Sequence, residues 1–129
     1  MEDRRERPGR FVFHDLMSSD VGRSQKFYSS LFPEWDFQNV DLGEAGTYYL
    51  ICVDGVKCGG IVPVAPTLGL TSHWIGYVEV TDCEAATECA IAEGGQVPVP
   101  TMDIPGMGKF AVIMDRQQAM LKALEPAAS

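Results

Sequence analysis

Three side chains in the sequence could carry acid–base or electrostatic chemistry if the fold brought them to one surface: Asp15, His73 and Lys122. A carboxylate can anchor a polar ligand or exchange a proton, and an imidazole can do either near neutral pH. A lysine taken out of water can hold an anionic or carbonyl oxygen. Each has an ordinary alternative. Asp15 can sit at a wet cavity mouth or pair with Lys122, and Lys122 can snorkel to solvent. His73 opens a strand after a linker, where a histidine often staples a loop. Glu79 falls at a strand end, where water solvates it. Cys58 acts as a nucleophile only beside a base, and no sequence neighbour supplies one. Trp35 and Trp74 either pack beneath a sheet or stack on a planar ligand.

The elements that must position these residues repeat. Two segments align without a gap at a constant shift of sixty-two residues: FHDLMSSDVGRSQKFYSSL from Phe13 and IGYVEVTDCEAATECAIAE from Ile75. Asp20 falls on Asp82, Leu16 on Val78 and Ser24 on Ala86, and the shift persists through Gly46-Thr-Tyr-Tyr-Leu-Ile-Cys over Gly108-Lys-Phe-Ala-Val-Ile-Met. Each half reads strand, helix, strand, strand, strand. Strands are expected over Phe11 to Met17 and His73 to Val80, where apolar and β-branched or aromatic residues concentrate. The first helix follows Ser19-Asp20 and is expected to bury Phe27, Tyr28, Leu31 and Phe32; the second opens with a Thr81-x-x-Glu84 capping box and stops at Gly94-Gly95. Strands over Trp35 to Asn39 and Gln96 to Val99 come next, then hairpins of Tyr48 to Val53 with Val56 to Pro63 and of Phe110 to Met114 with Ala119 to Leu124. Pro98 and Pro100 confine the sixth strand to an edge.

The expected fold is α+β: two tandem βαβββ modules, residues 11–64 and 73–126, joined by a linker at 65–72 and preceded by a disordered tail at 1–10. Their mixed sheets are expected to curl into an open cup with the helices outside, a shape suited to small ligands. With Phe13 and Ile75 inward, the two-residue period of a strand brings Asp15, Met17, His73, Tyr77 and Glu79 to the same surface. The hairpins are read as adding Tyr49, Ile51, Cys58, Gly60, Ala111, Ile113, Met120 and Lys122, with Gly60 leaving room. The ligand-binding set is therefore Phe13, Tyr49, Cys58, Gly60, Ile75, Tyr77 and Met120.

Composition narrows the function. The chain has 129 residues, 46% of them hydrophobic, and a formal charge of −8. Such a field repels phosphate backbones and anionic bilayers, so neither nucleic acid nor membrane is an expected partner. The first ten residues have no apolar run of the signal-peptide kind, and no later stretch approaches a membrane span, so a cytoplasmic protein is the default. Cys83 and Cys89 are six apart on one helix, roughly 240° around its axis, and Cys52 and Cys58 point to opposite faces of one hairpin, so four free thiols are expected.

The stretch HDLMSSD from His14 to Asp20 with Phe27-Tyr28, the pair His73-Trp74, the run DIPGMGKFAV from Asp103 and the terminal hairpin together resemble the vicinal-oxygen-chelate superfamily. That superfamily includes glyoxalase I, extradiol dioxygenases, methylmalonyl-CoA epimerase and the bleomycin-binding resistance proteins. In its metal-using members a His or Gln on the first strand and a Glu on the last strand of each repeat converge on one divalent ion. The resemblance puts those positions at Phe13, Ile75, Gly60 and Lys122, none of which can ligate as the family does. His14 lies one residue along, and strand alternation turns it toward the helices. A further departure is the last hairpin turn, Asp115-Arg-Gln-Gln118, where relatives tend to show Asp-Pro-x-Gly.

The resemblance implies a protein that binds a small, partly aromatic molecule in its cup with no metal and no cofactor. The alternative is a superfamily enzyme, a lyase, isomerase or dioxygenase, with metal ligands relocated to His14, Asp15, His73 and Glu79, or with metal-free acid–base catalysis by Asp15, Lys122 and His73. A homodimer is expected from the resemblance alone.

Overall fold

The hydrophobic periods switch from two to about three and a half and back again twice along the chain, and the elements follow them. The first round is β1 (Phe11–Ser18), α1 (Val21–Leu31), β2 (Trp35–Asp41), β3 (Thr47–Val53) and β4 (Val56–Pro63). The second is β5 (His73–Glu79), α2 (Cys83–Ala92), β6 (Gln96–Ile104), β7 (Gly108–Met114) and β8 (Met120–Pro126). The computed structural model describes residues 7–43, 46–64, 71–104 and 106–127. The chain is thus an α+β fold of two tandem βαβββ modules. It divides into two compact units, Phe13–Ile75 on one side and Gly76–Ser129 with the residues before Phe13 on the other.

In the first unit the strands run in the order β2-β3-β4-β1, with β1 parallel to β4 and the other neighbours antiparallel. The second unit repeats this as β6-β7-β8-β5, with β5 parallel to β8. A parallel pair needs a long crossover, and in each unit the helix and the two intervening strands supply it.

Both helices begin on an aspartate. Asp20 accepts from the Arg23 backbone N–H and Asp82 from that of Ala85, each at 3.1 Å, so one of the orphan donors of the first turn is satisfied. The cap of α2 is therefore Asp82, the repeat mate of Asp20, and not Thr81 of the expected capping box. The face of α1 that meets its sheet carries Val21 and Tyr28, which pack on a core of Leu16, Ile51 and Ile61. Phe27 and Leu31, expected inside, are 60% and 55% exposed. At about 100° per residue, a helix that turns Val21 and Tyr28 inward carries Phe27 and Leu31 to its flank. In α2, Cys83 and Ala86 face Ala111, Ala123 and Ile113.

Part of the expected tail makes backbone contacts with β5. Glu79 accepts the Arg7 backbone N–H on its carboxylate at 2.6 Å, its carbonyl accepts from Gly9, and its N–H donates to Arg10. Residues 7–10 are thereby tied to the end of β5, while the rest of the expected tail and most of the linker lie outside the described residues. Among the described residues no helix is long and apolar enough to cross a membrane, and all four cysteines are free.

Candidate functional site

Side chains alternate across a strand, so each sheet offers one surface to its helix and one to the other side. In β1 the Leu16 surface lies under α1, which leaves Phe13 and Asp15 on the helix-free surface. Asp15 is wholly buried, not at a wet mouth, and the Tyr48 hydroxyl donates to its carboxylate at 2.6 Å. Gly60 pairs with Asp15 on one side and with Leu50 on the other. A Cβ on Gly60 would overlap Cζ and Oη of Tyr48. The room left by that glycine is filled by the Tyr48 ring, contrary to the expectation of open space.

The second unit places different chemistry at the equivalent positions. Tyr77, Phe110 and Lys122 follow Asp15, Tyr48 and Gly60 at the sixty-two-residue shift. Lys122 pairs with Tyr77 across the parallel ladder, and its ammonium donates to the Tyr77 hydroxyl at 3.3 Å. The same nitrogen lies 5.0 Å from the Tyr77 ring centroid and 5.2 Å from that of Phe110, within cation–π range of both. Lys122 is 6% exposed, so it does not snorkel to solvent.

The remaining sequence candidates separate. Phe13 and Ile75 are buried, and Met120 is half-buried at the start of β8. Glu79 is buried and carries the backbone of Arg7, so it is not a solvated strand end. The His73 Nδ1 lies 2.8 Å from the Thr71 carbonyl, a contact within its own linker. Tyr49 and Ile51 belong to the core beneath α1, and Ala111 and Ile113 to the core beneath α2, all on the surface opposite the one expected. The antiparallel partner of Gly60 is Leu50, so Leu50 and Tyr48 share its face, and Tyr49 cannot.

Cys58 is displaced by an irregularity: Ile51 pairs with Gly59 and Cys52 with Lys57, leaving Cys58 unpaired between them. Its thiol points to the Ile51 carbonyl at 3.5 Å, in a hollow it shares with His14 and both tryptophans. Burial, and then the neighbouring Cys52, push that thiol up from its ordinary value, which keeps it protonated and poorly nucleophilic. Sequence reasoning missed Tyr48 and Phe110. The repeat offered the clue, since Tyr48 and Phe110 match as aromatics whereas Tyr49 and Ala111 do not match.

No family model matches the chain. It is 29% identical over 119 residues to the glyoxylase-named protein CFP32 of Mycobacterium tuberculosis, covering 92% of this chain and 45% of that one. It is 31% identical over 121 residues to the anthracycline biosynthesis protein DnrV of Streptomyces peucetius, covering 84% of this chain and 44% of the other. The chain thus spans a little under half the length of these relatives. The fold matches that of methylmalonyl-CoA epimerase from Mycobacterium tuberculosis with a TM-score of 0.62 at 12% identity, over 93% of this chain and 89% of that one. These relatives and this fold agree with the resemblance to the vicinal-oxygen-chelate superfamily.

The resemblance puts the metal-ligand positions of the superfamily at Phe13, Gly60, Ile75 and Lys122. The first three side chains have no lone pair to give and the fourth presents an ammonium, so none of them fits a divalent ion. Among the described residues no group of three or more His, Cys, Asp and Glu side chains could hold one elsewhere. A relocated set that uses both His14 and Asp15 is split by the strand itself, because adjacent residues of β1 face opposite sides.

Proposed function

We propose that the chain binds a small, partly aromatic molecule on the helix-free surface of its sheets and does so without the metal used by metal-dependent members of the superfamily. The observation that carries this reading is Lys122. A buried ammonium at a position where the superfamily places a carboxylate repels a cation. The same group, beside the faces of Tyr77 and Phe110, suits a ligand with an aromatic ring and a carbonyl or anionic oxygen. The likeness to a protein named for anthracycline biosynthesis supports aromatic chemistry.

The test is a thermal-shift screen of aromatic ketones, phenols and carboxylates, repeated on Lys122→Met, which keeps the length and removes the charge. Loss of a charge-assisted hydrogen bond lowers affinity roughly tenfold or more. Compounds that bind both proteins alike would contradict the role of Lys122. A second reading, an enzyme of the same superfamily, draws on the buried Tyr48–Asp15 hydrogen bond as an acid–base pair. Turnover of a screened substrate that disappears in Asp15→Asn while binding survives would favour it. A homodimer belongs to the proposal as well, and light scattering that shows a monomer at tens of micromolar removes it.

A further inference from the structure

We propose a second binding site, on the helix side of the first module, for a flat and uncharged aromatic ring. It goes beyond the reading above, because it lies on the opposite surface of the same sheet and lies wholly within residues 13–75. A hollow of about 380 Å³ is lined there by His14, Trp35, Ile51, Cys58, Gly59 and Trp74.

The floor of this hollow is built into the backbone. Gly59 is in register with both His14 and Ile51, so the middle of that row of the sheet has no side chain. A Cβ at Gly59 would overlap the His14 carbonyl oxygen, so the strand irregularity at Cys58 and the missing side chain go together. The dent follows from strand geometry and is not a chance gap between mobile side chains.

The walls are two indoles held at a right angle. The Trp35 and Trp74 ring centroids are 6.2 Å apart with an interplanar angle of 82°. The Trp74 indole N–H donates to the Tyr28 hydroxyl at 3.3 Å, and its ring meets that of Tyr28 edge-on at 5.6 Å. Trp35 is backed by Phe32 at 4.9 Å and by Tyr28 at 5.6 Å, both near parallel. Both walls are therefore pre-oriented, and pre-orientation lowers the entropy cost of binding. A planar ring laid on one indole receives the edge of the other, the two arrangements that the aromatic quadrupole favours.

Among the described residues the lining holds no Asp, Glu, Lys or Arg. A net charge of −8 disfavours an anion. A cation gains an indole face but no carboxylate among the described lining residues, whereas a flat neutral ring stacks on one indole and meets the edge of the other. The polar groups at hand are the Cys58 thiol and the His14 imidazole, which suit a neutral ring with at most a hydroxyl or carbonyl substituent. Trp74 is 42% exposed, which leaves a large apolar ring face in contact with water.

The chain has two tryptophans, and both are walls of this hollow, so tryptophan fluorescence reports on this site. The probe is 4-nitrotoluene, a neutral ring that quenches indole on stacking, with tetramethylammonium and benzoate as charged comparators. Quenching is expected to saturate for 4-nitrotoluene and to be absent for both ions. Cys58→Phe, which fills the hollow from an exposed position, and Trp74→Leu, which removes one wall, should each weaken binding roughly tenfold, the worth of one aromatic contact. Lys122→Met should leave it unchanged, which separates this site from the one proposed above. Non-saturating quenching, equal binding by Trp74→Leu and the parent, or displacement of the probe by tetramethylammonium would overturn the proposal.

Discussion

Gly60→Ala should damage the protein far more than a single methyl group suggests. The new Cβ would overlap the end of the Tyr48 ring, which is buried and held by its hydrogen bond to the buried Asp15 carboxylate. The ring must move, and the hydrogen bond goes with it. A hydrogen bond to a charged group is worth about 1.5–3 kcal/mol, and overpacking a tight site costs a further 1–3 kcal/mol or so. Replacing glycine within a strand returns roughly 0.5–1 kcal/mol. The net loss is about 1.5–5.5 kcal/mol, which lowers the melting temperature of a domain this size by roughly 6–20 °C. Urea denaturation of four proteins tests the mechanism: parent, Gly60→Ala, Tyr48→Ala and the double variant. With the ring removed, the added methyl group fits, so the double variant should be no less stable than Tyr48→Ala alone, a strongly non-additive cycle. Additive effects, or a Gly60→Ala loss under about 0.5 kcal/mol, would refute the argument.

Three smaller perturbations probe other parts of the account. Gln118 adopts φ 71°, a conformation that favours glycine, so Gln118→Gly should stabilise the protein by about 0.5–1 kcal/mol in chemical denaturation. Asp82→Ala should cost about 1 kcal/mol and Thr81→Ala less than about 0.5, because Asp82 is the cap of α2; equal costs would return the cap to Thr81. Burial and Cys52 both raise the Cys58 thiol, so at neutral pH it should alkylate more slowly than a free thiol. Its rate should rise at higher pH than usual, with the midpoint moving down in Cys52→Ala; a midpoint at or below that of free cysteine would contradict this.

Much of the fold was legible because the repeat supplied two copies of every signal. Asp20 and Asp82 mark the helix starts, and the Asp54-Gly55 turn, with φ of 51° and 77°, fixes one hairpin without reference to anything distant. The site was harder to read, for a physical reason. Which residues of β3 share a face with Gly60 depends on the pairing register, and the irregularity between Ile51 and Cys52 shifts that register by one. Period-two counting across it groups Tyr49 and Cys58 with Phe13 and Asp15, whereas the structure puts Tyr49 on the helix side of the sheet. The burial of Asp15 and Lys122 was equally hidden, since both residue types are usually solvated and only the partners Tyr48, Tyr77 and Phe110 show how the structure accommodates them. The tail offered no signal at all for its attachment, because its bonds to Glu79 are made by backbone groups.

The measurement that bears most directly on the central claim is elemental analysis of the protein after exposure to Zn²⁺, Ni²⁺, Mn²⁺ and Fe²⁺ in turn and removal of unbound ions. With Phe13, Gly60, Ile75 and Lys122 at the superfamily's ligand positions, no stoichiometric metal should remain. One tightly held ion per chain, lost on substitution of residues on the helix-free surface, would contradict the account.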